Sequence, residues 1–318
     1  MLIQIFVLIV GFVILIKGAD IFVDGASSIA GNFKVSKMLI GLTIVSFGTS
    51  APELAVSVKS IISGNHDIVL GNVIGSNILN ILLIVGLSAM VHSLNVKNNT
   101  VKKELPIVIL ISTLFGVLLL DKTFDKSIVN NAFTRSDGIV LLLFFLVFVY
   151  YLFSMMRNKV ETDEKEEYMP LIKAFLFTFG GILLVVLGSN FVVDSASLIA
   201  SRLGISTKMI SLTVIALGTS LPELVTSVQA TRKGEYDIAI GNVIGSNIFN
   251  IGIVVGVPVA LFGGISKINF NYIDIIAMIL SAVLLFIFSY RKYKITKSEG
   301  IVFLLIFLAY YSYIIYMG

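Results

Sequence analysis

The chain has 318 residues, 57% of them hydrophobic and only 13% charged, with a net charge of +4 and a mean hydropathy of +1.01. A soluble domain carries about 25% charged residues, so this composition excludes one. Apolar runs long enough to cross a hydrocarbon core of roughly 30 Å recur along the whole length, and their continuity excludes a membrane β-barrel, whose segments alternate. There is no cysteine, which excludes disulfides, thiol chemistry and Cys-ligated metals. The positive charge is spread over short loops and leaves no nucleic-acid footprint.

Taken in chain order, the pattern predicts an all-α membrane protein with ten transmembrane helices, at about 2–23, 36–63, 69–92, 104–120, 137–156, 171–199, 206–230, 238–262, 270–290 and 299–317. The N-terminal run Met1 to Ile16 lacks a basic segment and a small-residue cleavage site, and reads as the first span, not a signal peptide. Loops after odd-numbered spans hold 15 of the 23 Lys and Arg, against 7 on the other side. The richer face is expected to be cytoplasmic, which puts both termini outside a multi-pass cell-membrane protein. The hydrophilic stretch 157–170, with Glu161, Asp163, Glu164, Glu166 and Glu167, reads as a cytoplasmic linker between five-helix halves 1–156 and 171–318. Tyr150, Tyr151, Tyr310, Tyr311, Tyr313 and Tyr316 read as interfacial anchors.

The halves repeat at a fixed offset of 170. Residues 43–80 align without gaps on 213–250, with 21 of 38 positions identical. Gly48-Thr49-Ser50-Ala51-Pro52-Glu53 matches Gly218-Thr219-Ser220-Leu221-Pro222-Glu223, and Gly71 to Asn80 matches Gly241 to Asn250 at all but one position. The same offset relates Gly18 to Gly188, Asp24 to Asp194 and Glu104 to Asp274. Five spans per half is an odd number, so the second half enters from the opposite face. The expectation is two inverted five-helix repeats, which place a site at their interface near the midplane, on interrupted helices.

The chemistry lies in those motifs. A carboxylate near the bilayer centre costs about 2.5–3.5 kcal/mol on insertion scales, so Glu53 and Glu223 at matched positions point to a site. On a continuous helix Thr49 and Ser50 share a face with Glu53. Pro52 and Pro222 remove the N–H that the carbonyls of Gly48 and Gly218 would accept from, freeing those carbonyls for a cation. Asn72, Ser76 and Asn80 recur on one helix face, as do Asn242, Ser246 and Asn250. Gly71 and Gly75, and Gly241 and Gly245, form GxxxG pairs for close helix approach. Every candidate ligand is oxygen, which suits a hard cation and argues against zinc or copper. Ca²⁺ takes 6–8 oxygens in adaptable geometry, whereas Mg²⁺ holds its water. Two glutamates balance Ca²⁺, and Na⁺ fits the same glutamates with Ser50, Ser220, Ser76, Ser246 and carbonyls.

Through both GTSxPE and both GNVIGSNxxN motifs, the chain closely resembles the Ca²⁺/cation antiporter superfamily, in its prokaryotic Na⁺/Ca²⁺ exchanger branch. The resemblance implies four clustered cation sites. Glu53 and Glu223 would be shared by Ca²⁺ and Na⁺, with Thr49, Thr219 and backbone carbonyls near Ser46 and Ala216 completing the shell. Ser50, Ser220, Ser76 and Ser246 would serve mainly Na⁺, and Asn80 and Asn250 would line the central position. Some relatives carry Asp where this chain has Asn250, and K⁺-dependent members rely on an acid in that helix, so K⁺ independence is expected. Spans 1 and 6 would slide past a fixed core.

The expected activity is therefore antiport of several Na⁺ for one Ca²⁺, by a monomer in the lipid bilayer, with no cofactor beyond the transported ions and no nucleic-acid partner. The main alternative is a Ca²⁺/H⁺ exchanger, whose relatives usually carry a carboxylate where this chain has Gly75 and Gly245. A passive channel is a further alternative. An intramembrane hydrolase using Ser50 or Ser220 lacks a base histidine beside either serine, so an enzyme is not expected.

Overall fold

The computed structural model describes residues 2–120, 123, 131–157, 168–205, 216–266 and 272–317. The described residues are almost wholly helical. Helix α1 is Leu2–Phe33, and α2, Lys37–Thr49, contains a π-helical turn at Gly41–Val45. Then come α3, Ala51–Ile62, and α4, residues 66–91, with a π-helical turn at Asn80–Val85. Helix α5 covers 100–118, α6 Arg135–Arg157 and α7 Leu171–Arg202. The second half continues with α8, Ala216–Thr219, α9, Leu221–Arg232, and α10, Tyr236–Phe262, whose π-helical turn is Asn250–Val255. It ends with α11, Tyr272–Lys292, and α12, Lys297–Met317.

Seven of these helices are long and apolar enough to cross a membrane, and α2 with α3, bent by 46°, makes an eighth. The other two expected spans are treated differently by the chain. Helix α5 carries Lys102, Lys103 and Glu104 near its start, and the expected seventh span begins in 206–215, outside the described residues. Helix α1 runs ten residues beyond the expected end at 23, because Asp24 does not terminate it: that carboxylate is paired with Lys233 at 2.6 Å.

Helices α4 and α10 form the centre, with 72% and 83% of their apolar windows buried, while α6 and α12 at the periphery show 17%. Close packing there depends on glycine. A Cβ on Gly245 would lie 2.5 Å from Ser46 Oγ, and one on Gly241 would lie 2.9 Å from the Met38 carbonyl. The second GxxxG pair thus lets α10 touch α2 backbone to backbone. In the first pair, a Cβ on Gly75 would meet nothing within 4 Å, so the close approach expected there is not made at that glycine.

Helices α1 and α7 pair antiparallel along a seam of small residues. Gly11, Gly18 and Gly25, spaced by seven, face Phe191, Leu184 and Thr178, while Gly181 and Gly188 face Phe22 and Leu15. A spacing of seven keeps such residues on one stripe of a helix. Two short antiparallel strand pairs tie the loops. Leu94–Asn95 pairs with Lys294–Ile295, and Ala132–Phe133 pairs with Ile265–Ser266.

Two tyrosines read as surface anchors are instead tied inward. Tyr151 hydroxyl donates to Glu104, and Tyr310 hydroxyl donates to Asp274 at 2.9 Å. The carboxylates are mates under the 170 offset, so each half uses a tyrosine to satisfy an acid that would otherwise face hydrocarbon. Tyr150 and Tyr316 remain exposed as expected.

Candidate functional site

Both GTSxPE motifs fold as a broken helix. Ser50 (φ −83°, ψ 7°) separates α2 from α3, and Ser220 (φ −90°, ψ 5°) separates α8 from α9. Pro52 and Pro222 then stand at the second position of the new helix, where a missing N–H costs nothing. Glu53 and Glu223 fall in the first turn, at the positive end of the helix dipole.

The break changes how the motif works. The expected shared face of Thr49, Ser50 and Glu53 does not exist, because the helix is interrupted between them. Ser50 instead crosses to the other half and donates to Glu223 Oε1 at 2.9 Å. Ser220 donates to Glu53 Oε1 at 3.3 Å and lies 3.2 Å from Ser76 Oγ. Thr49 also crosses over, donating to Asn242 Oδ1 at 3.0 Å. One freed carbonyl is already used: Gly218 O accepts from Ser189 Oγ at 3.0 Å. Position 19, the mate of Ser189, is alanine, so Gly48 has no matching hydroxyl.

The carbonyl of Ser46 accepts the Ser50 N–H at 3.0 Å and the Thr49 hydroxyl at 3.4 Å. Ala216 lies in α8. Asn72 and Asn242 act as braces. The Asn242 amide donates to Ser227 Oγ at 2.9 Å and to the Glu223 carbonyl at 3.4 Å, and Asn72 makes the matching pair to Ser57 and Glu53. Interhelical glue is thus one function of these two residues.

Asn77 and Asn247 are missing from the sequence-derived set, yet they knit the halves together. Each donates to the other's backbone carbonyl, at 3.3 and 3.5 Å. Each side-chain carbonyl also accepts from the opposite repeat, Asn247 from Asn80 at 3.0 Å and Asn77 from Asn250 at 3.2 Å. The missed signal was their identity in both copies of the GNVIGSN run, which the four-residue spacing of Asn72, Ser76 and Asn80 obscured. A second missed feature is the π-helical turns, which begin at Asn80 and Asn250 in both repeats. Single π turns inside α-helices are frequent at functional sites.

Glu53, Glu223, Asn80, Asn250, Asn242, Ser50 and Ser246 are fully buried, and Thr49, Ser76 and Ser220 nearly so. No Lys, Arg or His is found among the buried described residues to balance the carboxylates. Six buried side-chain oxygens of this cluster make no hydrogen bond: Glu53 Oε2, Glu223 Oε2, Asn80 Oδ1, Asn250 Oδ1, Thr219 Oγ1 and Ser246 Oγ. Buried polar atoms are nearly always partnered. A set of oxygens left over from both repeats, with two carboxylates and no protein cation, has the chemistry of a hard-cation binding site.

Comparison with known proteins agrees with that chemistry. The family model described as sodium/calcium exchanger protein matches residues 3–154 and 173–316. Inner membrane protein YrbG of Escherichia coli is 36% identical over 92% of this chain and 90% of its own. Sodium/calcium exchanger MaX1 of Methanosarcina acetivorans is 32% identical over 98% of both. The solved structure of the sodium-calcium exchanger NCX_Mj, soaked with Na⁺ and Sr²⁺, superposes with a TM-score of 0.83 at 32% identity, covering 97% of both chains. These matches cover 92–98% of the chain, and the family model takes in both motif copies. The chain belongs to the sodium/calcium exchanger protein family of the Ca²⁺/cation antiporters.

Proposed function

We propose that this protein is a Na⁺/Ca²⁺ antiporter that moves several Na⁺ against one Ca²⁺ by alternating access, without K⁺. The observation that carries this reading is the set of six unpartnered buried oxygens, one Oε2 from each glutamate among them. Two carboxylates neutralise one Ca²⁺; a load of more than two Na⁺ at the same oxygens makes exchange electrogenic. Glu53, Glu223, Thr49 and Thr219 serve as ligands with carbonyls near Ser46 and Ala216. Ser50, Ser220, Ser76 and Ser246 complete Na⁺ positions, and Asn80 and Asn250 line the centre. The Asn pair, in place of an acid, supports K⁺ independence.

The ions, on this reading, meet at the junction of two inverted five-helix halves, residues 1–156 and 171–318, joined by a cytoplasmic linker at 157–170. Supporting it are the matched helices α1 and α7, the matched breaks at Ser50 and Ser220, and the exchanged serine–glutamate bonds. Both termini would be extracellular. One chain supplies both halves of the site, which supports a working monomer.

The test is Ca²⁺ binding to purified protein by calorimetry, with Na⁺ as competitor. Saturable binding that Na⁺ displaces, and that Glu53→Gln and Glu223→Gln each remove, is expected. Binding that survives both substitutions overturns the site.

A further inference from the structure

The two halves match in sequence but are not packed alike. Helix α1 lies along α9, where Leu221 and Val225 join one apolar cluster with Leu15 and Ala19 of α1 and Val185 and Val192 of α7. Gln229 Nε2 reaches the Ile16 carbonyl at 3.5 Å. Just past the end of α9, Lys233 Nζ turns back to α1 and meets Asp20 Oδ1 at 2.8 Å, the Asp20 carbonyl at 2.8 Å and Asp24 Oδ1 at 2.6 Å. Two residues on, Glu235 accepts from Ser27 at 2.8 Å and Lys37 at 3.0 Å.

The 170 offset places Ala51, Ala55, Lys59, Ser63 and Asn65 at the positions of Leu221, Val225, Gln229, Lys233 and Glu235. Small side chains replace the apolar ones, and neither turn residue is charged. Ala51, Ala55, Lys59, Ser63 and Asn65 are all exposed. Helix α7, the mate of α1, barely touches α3. Asp194, the mate of Asp24, is exposed and has no ion pair among the described residues, and the Ser197 hydroxyl, mate of Ser27, has no hydrogen bond. Lys59, exposed one turn beyond Ala55 in the last turn of α3, marks that end of the surface as meeting water, since an ammonium is expensive in hydrocarbon.

We propose that Lys233 with Asp20 and Asp24, and Glu235 with Ser27, form a latch that holds α1 on α9, with Lys37 of α2 steadying Glu235. The latch closes the face carrying turn 233–235. The mated Ala51–Ala55–Lys59 surface of α3, on the side of that helix away from the buried Glu53, is then the side left open in this conformation. The proposal rests on the alternating-access reading above. All three ion pairs are partly exposed, and such pairs are individually weak. That suits a contact which must open in every cycle.

The chain has no cysteine, so single reporters need no background changes. Ala55→Cys and Val225→Cys sit at mated positions, and their alkylation by a membrane-impermeant maleimide is followed in vesicles of either orientation. Ala55→Cys should react fast and Val225→Cys slowly. Adding Lys233→Gln should speed Val225→Cys about tenfold, the equivalent of about 1.4 kcal/mol, and slow Ala55→Cys, because one side opens as the other closes. Asp20→Asn with Asp24→Asn should do the same from the other end of the pair, and Lys233→Arg should keep the original pattern. Unchanged rates in both charge-removing variants, or both reporters speeding up together, overturn the latch. A reciprocal shift in vesicles that show no Na⁺/Ca²⁺ exchange upholds the latch and sinks the exchange reading instead.

Discussion

Ser50 donates its hydroxyl to Glu223, 173 residues away, at 2.9 Å, instead of to Glu53 three positions along its own chain. With the return bond from Ser220 to Glu53, each glutamate is oriented by the serine of the other half. Neither half builds its own carboxylate site.

Removing one of these hydroxyls should therefore weaken ion binding at the opposite glutamate. A hydrogen bond to a charged group contributes about 1.5–3 kcal/mol, so Ser50→Ala should lower apparent cation affinity roughly ten- to a hundredfold. Ser220→Ala should have a smaller effect, its bond being longer at 3.3 Å. Concentration dependence of uptake measures both; equal affinity in Ser50→Ala and the parent protein contradicts the crossed arrangement.

Glu53→Gln and Glu223→Gln keep shape and remove charge. Each should abolish exchange while leaving a monodisperse protein with an unchanged or raised melting temperature, because a buried uncompensated carboxylate is costly. Size-exclusion profiles, thermal melts and transport on the same preparations check this. Loss of fold in both variants would make the glutamates structural.

Asn77 and Asn247 should behave as one unit. Asn77→Ala strands the Asn250 side-chain amide, at about 1–3 kcal/mol, and removes the second hydrogen bond to the Asn247 carbonyl, which keeps the Asn250 N–H. Asn247→Ala strands the mirror set. Thermal or denaturant melts of the two single variants and the double variant should show strong non-additivity; additive losses would mean that the two amides work independently.

Gly245→Ala tests the close approach of α10 to α2. Its new methyl would sit 2.5 Å from Ser46 Oγ and 2.7 Å from Ser46 Cβ, so the helices must part beside Thr49. Overpacking of this kind costs about 1–3 kcal/mol. Transport should fall along with the melting temperature, and normal values of both would show that α2 yields without cost.

Much of this site was readable from residues alone, for a physical reason. Carboxylates, prolines and hydroxyls in an apolar span are expensive, so Glu53, Pro52 and Ser50 stand out against their background, and the fixed offset located their mates. What stayed hidden depends on three-dimensional register. A helix break at Ser50 sends its hydroxyl to the opposite repeat, and side-chain spacing on a continuous helix cannot show that. Asn77 and Asn247 looked like ordinary members of a motif, because pairing across a pseudo-symmetric interface leaves no periodic signal in one strand of sequence. Likewise Tyr151 and Tyr310 have the composition of surface anchors, and only packing brings Glu104 and Asp274 to them. The extra length of α1 was missed because Asp24 interrupts the apolar run until Lys233 is placed beside it.

Na⁺-gradient-driven ⁴⁵Ca²⁺ uptake into proteoliposomes decides whether the buried oxygens exchange Na⁺ for Ca²⁺. Uptake should follow the outward Na⁺ gradient, proceed equally with and without K⁺, respond to membrane potential, and vanish in Glu53→Gln. Ca²⁺ uptake driven by a pH gradient in the absence of Na⁺ would make the protein a Ca²⁺/H⁺ exchanger instead.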